Sequence, residues 1–372
     1  MTHIPQTDPR AGYRENKAAI DAAIARVLDS GMYILGREAE AFEARFAGLI
    51  GVAHGIGCGN GTDALELALR ACGIGAGDLV FTVSHTAVAT VAAVERAGAT
   101  PVLVDIEDGG FAMDPAALEQ ALKAPPKGRP AAVLPVHLYG EPAAIGEIDA
   151  IARVHGLRLI EDAAQSHGAE YRGRVTGSFG DFGCFSFYPT KNLGALGDAG
   201  GVVTDNAELA AAAREIREYG WRDRYVSAVP GINTRLDPIQ AAILNVKLET
   251  LARDNARRQA VAARYDEGLA DLPLKRPTRR NAATHVFHQY VIRLAKRDRL
   301  REHLRLAGIG TGIHYPLPVH LHPAYQGRAP VGPTGLCKSE AAAREILSLP
   351  IYPQLADAAV DRVIAEIRRF SL

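Results

Sequence analysis

One stretch of the chain, residues 161–201, contains an acid, a hydroxyl and an amine that could act together. Asp162 comes just after an apolar run that is typical of a buried strand. Ser186 precedes Lys191 by five residues, and Lys191 stands between an aromatic run and a glycine-rich segment. A lysine amine can form a Schiff base with an aldehyde, a buried acid can pair with a protonated ring nitrogen, and a hydroxyl can bind a phosphate. The combination matches the requirements of a pyridoxal phosphate (PLP) site, although each residue alone is more typical of an ordinary strand end or a solvated loop.

Residues 55–61 place four glycines in front of a strong helical pattern. Free amide groups and the helix macrodipole make such a helix N-terminus a favourable place for an anion. The GxGxxG fingerprint of dinucleotide-binding sites fails here, because Asn60 or Thr62 occupies its last position, and no GK[ST] triplet of a Walker loop is present. From the residues alone, an ordinary helix start with Thr62 or Asp63 as the capping residue stays open as the alternative.

The sequence around these residues alternates between apolar strand patterns and helical patterns, and these elements must position the candidate site. Strand patterns at residues 100–106 and 131–140 are followed by helical patterns at 114–122 and 143–155. This alternation predicts an α/β domain with a mostly parallel sheet. Ligands bind such sheets at the carboxyl ends of the strands, which is where Asp162 is expected to lie.

The C-terminal third has a different pattern. A long helix is predicted over residues 238–265, and few strands follow it, with helical patterns such as the one at 341–347. The length of the chain is sufficient for one large domain and one smaller domain. We therefore predict a large PLP-binding α/β domain with an N-terminal helical segment over residues 1–250, and a smaller α+β domain over residues 251–372.

Composition argues against several other classes of protein. The 372 residues include 42 basic and 42 acidic side chains, and a formal net charge of zero indicates no basic surface for nucleic acid. No apolar run is long enough to cross a bilayer, and the N-terminus lacks the apolar segment of a secretory signal. The four cysteines have no CxxC spacing, which is typical of free thiols in a reducing compartment. We therefore expect a cytoplasmic protein that binds neither nucleic acid nor membrane.

Two segments carry a resemblance to a known family. They are EDAAQSHGA (residues 161–169) and FSFYPTKNLGALGDAGG (residues 185–201). They resemble the signature segments of the DegT/DnrJ/EryC1/StrS family, the PLP-dependent nucleotide-sugar aminotransferases of fold type I, and the likeness runs from about residue 32 to the C-terminus. The resemblance implies the aspartate aminotransferase-like fold and a homodimer whose two active sites are shared between the chains.

The resemblance also implies roles around PLP for residues that match the family motifs. Lys191 would hold the cofactor and transfer protons, and Asp162 would keep its pyridine nitrogen protonated. Ser186 would bind the phosphate. Within the segment GNGTDAL, Gly61 and Thr62 match the phosphate-binding residues of the family.

Three further cofactor contacts follow from the same resemblance. Gln165 matches the residue that hydrogen-bonds the phenolic oxygen of the cofactor, and Asn233 would reach the phosphate bound by another chain. The family usually stacks an aromatic ring on the pyridine, but this sequence has Ala87 at that position and Val83 in place of the preceding proline. We therefore predict His85 as the stacking residue, with a hydrogen-bonded histidine in the pocket wall as the alternative.

Five residues are predicted on the substrate side of the pocket. The segment GIHYPLPVHLHPAY resembles the HYPxPxH segment of the family and supplies His314, Tyr315 and His320. Tyr188 and Arg235 are predicted to join them. The three histidines of this segment also permit a metal-site interpretation, but the intervening prolines prevent a helix that would bring the rings together and no acid lies nearby. We expect no metal.

The reaction implied by the resemblance is transfer of an amino group from L-glutamate to a keto-deoxysugar nucleotide. A dTDP-linked sugar is favoured, and the segments SHTAVAT and NTRLDPIQAA are more similar to the members that act on a 3-ketone than on a 4-ketone. Dehydratases of the family carry histidine where Lys191 stands, so aminotransfer is favoured over dehydration. Two alternatives come from other classes: a nicotinamide oxidoreductase, which lacks its glycine fingerprint here, and a non-catalytic regulatory protein that binds PLP or a sugar nucleotide.

Overall fold

The structure, a computed structural model, describes residues 3–371. The helices are α1 (Pro9–Glu15), α2 (Lys17–Ser30), α3 (Arg37–Ile50), α4 (Gly61–Ala71), α5 (Val88–Arg96), α6 (Pro115–Lys123), α7 (Ile145–Val154), α8 (Ala207–Arg217), α9 (Pro238–Leu248), α10 (Leu251–Gly268), α11 (Arg297–Leu306), α12 (Cys337–Glu345) and α13 (Asp357–Arg369). The strands are β1 (His54–Cys58), β2 (Asp78–Val83), β3 (Thr100–Val104), β4 (Arg129–Val133), β5 (Arg158–Asp162), β6 (Glu170–Tyr171), β7 (Arg174–Val175), β8 (Phe182–Ser186), β9 (Gly200–Thr204), β10 (Trp221–Asp223), β11 (Val226–Ser227), β12 (Ala283–Thr284), β13 (Tyr290–Arg293) and β14 (Ile346–Leu349).

A seven-stranded sheet in the order β1-β9-β8-β5-β4-β2-β3 forms the centre of the larger part of the molecule. The neighbours from β8 to β3 pair in parallel, whereas β9 is antiparallel to both β8 and β1. Only β9 therefore runs against the direction of the other strands. The prediction of a mostly parallel sheet with helices is confirmed.

Both faces of this sheet are covered, which explains why its strands are apolar along their whole length. Successive residues of a strand point to opposite faces. Phe81 in β2 accordingly packs in the cluster beneath α6 and α7, whereas its neighbour Val80 packs in the cluster beneath α4, α5 and α8. Sequence periodicity alone could predict these strands because each buried run is bounded by turn residues.

A second core lies in the C-terminal part of the chain. The antiparallel pair β13–β14 packs there with α10, α11 and α13. Ile4 joins this core, because its backbone bonds to Gly308 and Gly310 at 3.0 and 2.7 Å. The N-terminal residues thus pack with the smaller core, although the sequence-based division placed them in the large domain, residues 1–250. The boundary near residue 250 stays a prediction.

Three predicted elements differ from those observed. The helix predicted over residues 238–265 is two helices, since the N–H of Thr250 bonds to the carbonyl of Lys247 and the regular ladder stops between α9 and α10. The strand predicted over 131–140 ends at Val133, because Pro135 has no N–H to donate and a short 3₁₀ turn follows at Leu138–Gly140.

The third difference concerns the helix predicted over residues 341–347. Helix α12 ends at Glu345, and the apolar residues that follow form β14, which is buried along its length and pairs with β13. The conformation of this segment depends on its pairing with β13, because a short and mostly apolar run fits a helix or a buried strand equally well. No helix between residues 3 and 371 has the length and apolar character needed to span a bilayer.

Candidate active site

A cavity of about 520 Å³ opens at the carboxyl ends of the parallel strands. Asp162 is the last residue of β5 and Ser186 is the last residue of β8, so neighbouring strands deliver both to the same edge. Of the predicted cofactor residues, the cavity brings together Gly61, Thr62, Asp162, Gln165, Ser186 and Lys191. Of the predicted substrate residues, it brings together Tyr188, His314 and Tyr315.

Asp162 lies at the floor of the cavity with only 5% of its surface exposed. Thr90 donates its hydroxyl hydrogen to Oδ2 at 2.8 Å, and the backbone N–H of Ala164 donates to Oδ1 at 3.2 Å. Burial raises the pKa of Asp162, while the Thr90 hydrogen bond acts in the opposite direction. The carboxylate therefore has no strong cationic partner of its own, and a protonated ring nitrogen placed against it would be stabilised.

Lys191 lies in the loop that follows β8, where its N–H bonds to the carbonyl of Tyr188 at 2.9 Å. Burial lowers the pKa of Lys191 to about 8, although the negative charge of Asp162 opposes this effect. Within residues 3–371, no hydrogen bond or ion pair holds its Nζ atom. A larger fraction of neutral amine near pH 7 makes this lysine a better nucleophile and base than an ordinary surface lysine.

The N-terminus of α4 and Ser186 form one end of the cavity. The capping residue is Asn60, whose Oδ1 accepts from the N–H of Asp63 at 2.9 Å, so neither Thr62 nor Asp63 caps the helix. The N–H groups of Gly61 and Thr62 have no acceptor in the described chain. A Cβ atom at Gly61 would lie 2.6 Å from the Cβ of Ser186, so only glycine allows this approach. Two amides and a hydroxyl converge there, as an anion requires.

Gln165 forms part of the cavity wall through two hydrogen bonds. Its Oε1 accepts from the N–H of Tyr139 at 2.8 Å, and its Nε2 donates to the hydroxyl of Tyr315 at 3.2 Å. The hydroxyl of Tyr139 in turn donates to the carbonyl of His314. Tyr139 was not predicted from the sequence, because nothing in its neighbourhood indicates that the 3₁₀ turn places it behind Gln165.

Other residues near the cavity were also missed. The pair Thr86 and Thr90 has hydroxyls 2.9 Å apart, and the second of them holds Asp162. Their spacing of four residues, which would place both on one face if the segment were helical, was a signal that could have revealed this pair. Three more residues that line the cavity were missed: Gln6, His288 and Gln289. The first lies in the N-terminal segment and the other two lie just before β13, and no local pattern indicates them.

Two predicted residues lie behind the wall of the cavity. As a correction to the sequence-based prediction, His85 is 1% exposed and is not a lining residue. Its Nε2 lies 2.9 Å from the hydroxyl of Tyr139 and its ring stacks on Phe111, and burial lowers the pKa of His85 to about 4. His320 is likewise held elsewhere, between the hydroxyl of Ser84 at 2.8 Å and Glu340 at 3.3 Å.

Asn233 and Arg235 also lie outside the cavity of their own chain. Asn233 is exposed, and Arg235 is half-buried. Between them, Thr234 is buried and its hydroxyl connects to α4, because it donates to Asp63 at 2.7 Å and accepts from the N–H of Gly59 at 2.9 Å. Roles for Asn233 and Arg235 in the site of a second chain stay predictions.

The residues that line the cavity fit PLP. An acid, an amine and an anion-binding end occupy separate parts of one cavity, and its volume lies in the range of small-molecule sites. The absence of a side chain at Gly61 and the unpartnered amine of Lys191 are both explained by a phosphate and an aldehyde bound there. Across residues 3–371, no three or more His, Cys, Asp or Glu side chains are arranged to hold a metal ion.

The fold and the site define an α/β enzyme in which a half-buried lysine and a buried acid line one cavity at the carboxyl ends of the parallel strands. The family model described as the DegT/DnrJ/EryC1/StrS aminotransferase family matches residues 14–368. The chain therefore belongs to this family, and the sequence-based identification is confirmed.

Individual relatives extend along nearly the whole chain. The dTDP-3-amino-3,4,6-trideoxy-alpha-D-glucose transaminase of Streptomyces venezuelae is 48% identical over 99% of this chain and 96% of its own. The erythromycin biosynthesis sensory transduction protein EryC1 of Saccharopolyspora erythraea is 48% identical over 98% and 99%. The crystal structure of S. venezuelae DesV in complex with a ketimine intermediate matches with a TM-score of 0.95 and 47% identity, covering 99% of this chain and 98% of that one. The fold is accordingly the fold-type I architecture.

Proposed function

We propose that this protein is a PLP-dependent aminotransferase that moves an amino group from L-glutamate to a keto-deoxysugar nucleotide in amino-sugar biosynthesis. The observation that carries the proposal is the convergence of Lys191, Asp162 and the Gly61–Ser186 contact on one cavity. The family supports the reaction class, because its model is described as an aminotransferase family. An intact lysine favours aminotransfer over the dehydratase chemistry of the relatives that carry histidine there.

Different residues of the chain act at different steps of the proposed reaction. When bound, PLP supplies an electron sink for the negative charge that develops at the carbon atom losing its proton. Lys191 Nζ accepts the proton from the Cα of the amino donor, and later delivers a proton to the sugar carbon that receives the nitrogen. Asp162 would keep a proton on the ring nitrogen of the bound cofactor, because a close negative charge favours the cationic form. The amides of α4 and the Ser186 hydroxyl would bind the phosphate.

The proposed ketone position and nucleotide are supported by the names of relatives, among which are UDP-linked as well as dTDP-linked sugars. The name of the S. venezuelae transaminase gives a dTDP-linked sugar with its amino group at carbon 3. The DesV structure, at 47% identity, was determined in complex with a ketimine intermediate. We therefore propose a dTDP-linked 3-keto sugar as the acceptor, in agreement with the interpretation of the SHTAVAT and NTRLDPIQAA segments.

We also propose a homodimer in which each chain completes the cavity of the other. Large apolar side chains are exposed at Met32, Tyr33 and Ile34, which are 52%, 55% and 52% exposed, and at Tyr225 and Val226, which are 70% and 60% exposed. Contiguous exposed apolar side chains of this kind mark contact surfaces. No arginine lines the cavity among residues 3–371, although both substrates are anionic. A partner's Asn233 and Arg235 region would supply that missing polar and cationic surface.

Mixing two inactive variants tests the shared site. A chain with Lys191→Ala keeps Asn233, and a chain with Asn233→Ala keeps Lys191. If Asn233 acts in the partner's site, a mixed dimer holds one site with both residues intact, so mixing after partial unfolding and refolding should restore activity. If Asn233 acts in its own chain, the mixture should stay as inactive as the separate variants.

A cytoplasmic location is proposed on the basis of the cysteines. All four are free thiols. Burial raises the pKa values of Cys58 and Cys184 above the ordinary thiol range, so these side chains behave as inert apolar residues. An oxidising compartment would offer such a chain no stabilising bridge, whereas a reducing compartment preserves its thiols.

A regulatory function without turnover is the second candidate. The name of the S. erythraea relative, a sensory transduction protein, favours it. The intact Lys191, Asp162 and Ser186 argue against it, because the cavity keeps the groups that turnover requires. Turnover is the property that distinguishes the two.

The absorption spectrum of the purified protein tests the proposal. We expect a yellow protein whose visible band disappears when L-glutamate is added and returns when a dTDP-linked 3-keto sugar follows. Lys191→Ala should abolish the band shift, whereas Lys127→Ala, which changes an exposed lysine, should leave it intact. A UDP-linked 3-keto sugar and a dTDP-linked 4-keto sugar serve as controls for the nucleotide and the ketone. A colourless protein that does not bind added PLP would refute the aminotransferase assignment.

A further inference from the structure

One imidazole in the cavity wall has no hydrogen-bond partner. His288 lines the cavity and is 5% exposed. Its Nδ1 atom is sealed from solvent and bonds to nothing within the described chain. A buried polar atom without a partner is uncommon and calls for a functional explanation. The mechanism above does not use this side chain.

The environment of His288 fixes its protonation. Burial lowers the pKa of His288 well below its ordinary value, and the charges of Lys191 and Arg258 act in the same direction, so the ring is neutral near pH 7. A buried N–H without an acceptor is less tolerated than a buried lone pair. The proton is therefore expected on Nε2, which is not sealed, and the ring then presents an N–H donor to the cavity.

Gln289 presents a second donor beside it. Gln289 also lines the cavity and is 6% exposed. Its Oε1 accepts from Nε2 of Gln6 at 2.6 Å, which leaves its own Nε2 hydrogens for another acceptor. Gln6 is itself held in place, because its carbonyl accepts from the N–H of Ile351 at 3.1 Å. Two consecutive residues on a fixed backbone thus offer N–H donors to the same space.

These donors have no anion to bind within the chain, and the cavity has no arginine of its own among residues 3–371. The amino donor brings a carboxylate attached to the very carbon whose proton Lys191 takes. We propose that His288 and Gln289 bind the α-carboxylate of the amino donor through Nε2–H of the histidine and the amide of the glutamine. This inference rests on the proposed function and adds to it the residues that orient the donor.

The two half-reactions can be measured separately, which makes the assignment testable. The donor half-reaction is followed by loss of the visible band as L-glutamate is titrated. The acceptor half-reaction is followed by return of the band when the amine-loaded protein receives the keto sugar. Loss of a hydrogen bond to a charged group should raise the glutamate concentration for half-maximal conversion by roughly tenfold or more.

His288→Phe is the variant that removes the donor and keeps the ring shape. In this variant, the glutamate concentration for half-maximal conversion should rise by roughly tenfold or more. The keto-sugar concentration for half-maximal return of the band should stay within about twofold of wild type. His288→Gln keeps a terminal N–H at similar reach and should recover most of the donor affinity. Gln289→Leu should repeat the donor defect, and it provides the test if His288→Phe does not fold by circular dichroism.

Three outcomes would overturn the inference. They are unchanged glutamate dependence in both His288→Phe and Gln289→Leu, a defect confined to the sugar half-reaction, and an equal defect in both half-reactions that His288→Gln does not relieve. The last would show that His288 acts through Lys191 instead of on the substrate. A wild-type protein that no amino donor converts would overturn the proposed function and this inference together, so the two failures are distinguishable.

Discussion

The close approach of Gly61 to Ser186 gives a sharp test of the phosphate-binding end of the cavity. A Cβ added at Gly61 would lie 2.6 Å from Ser186 Cβ and 3.2 Å from both its Cα and its Oγ. Ordinary contact begins at 3.4 Å, so the two elements must separate by roughly 0.8 Å, from 2.6 to 3.4 Å. The first turn of α4 and the end of β8 would both have to shift, because Ser186 Cβ is attached directly to the strand backbone.

The structure sets the size of the expected effect of Gly61→Ala. Overpacking of this kind costs about 1–3 kcal/mol of stability. A phosphate that loses one hydrogen bond to its charged oxygens loses about 1.5–3 kcal/mol of binding free energy. That loss corresponds to a Kd for PLP that is roughly 10- to 100-fold higher. We therefore expect Gly61→Ala to lower Tm and also to raise the Kd for PLP by roughly 10- to 100-fold.

The assay is a PLP titration of the apo protein followed by absorbance, with Tm recorded for each variant. Gly48→Ala is the matched control, because a Cβ at this exposed position of α3 meets nothing within 4 Å. Alanine is favoured over glycine within a helix by about 1 kcal/mol, so this control should keep its Kd and hold or raise its Tm. A Kd for Gly61→Ala within twofold of wild type, at unchanged Tm, would refute the assignment of the phosphate to this helix.

Four further predictions concern Asp162, Thr90 and Lys191. Asp162→Asn should lower turnover by about 100-fold or more, while the Tm of the apo protein holds or rises, since burial already disfavours the charged form; wild-type turnover would contradict its role. Thr90→Val removes the 2.8 Å donor to Asp162 and should lower the free energy of unfolding in urea by about 1–3 kcal/mol, and an unchanged value would show that the bond contributes nothing. The apo protein should react with PLP faster as pH rises and level off above about 8, the pKa of Lys191, and borohydride trapping followed by mass spectrometry should find the label there. Because the folded pKa lies below the unfolded value, the unfolded state binds more protons between about pH 8 and 10.4, so Lys191 should make apo stability rise with pH across that window.

The sequence could predict the sheet and most of its helices for a physical reason. Strands covered on both faces are continuous apolar runs, and the helices between them carry one apolar stripe, so both patterns are local. The strand end at Asp162 was predictable in the same way. Predictions failed where pairing between distant segments decides the structure, as at β14, whose four apolar residues became a strand only because β13 lies beside them.

The candidate site was predictable where one motif holds the residues and not where several segments meet. Asp162, Ser186 and Lys191 lie within thirty residues of one another, and motif and chemistry could be read together. His288 lines the cavity from the segment just before β13, and Tyr139 supports Gln165 from a 3₁₀ turn behind the wall. Nothing local in the sequence indicates either residue. His85 was misplaced because the prediction used its position in a motif, whereas its contacts with buried aromatic rings decide where the ring lies.

The groups around the cavity show why a sequence cannot indicate a binding site completely. Asp162 is a buried acid with a raised pKa, and within residues 3–371 neither Lys191 Nζ nor the sealed Nδ1 of His288 has a partner. Each arrangement lowers the stability of the ligand-free protein, because burying a polar or charged group costs free energy unless hydrogen bonds or an opposite charge compensate for it. Such departures from ordinary packing concentrate where a bound molecule completes them. A sequence identifies every donor and acceptor, but only the folded chain shows which of them lack a partner and that one of these, His288 Nδ1, belongs to a residue of the cavity wall.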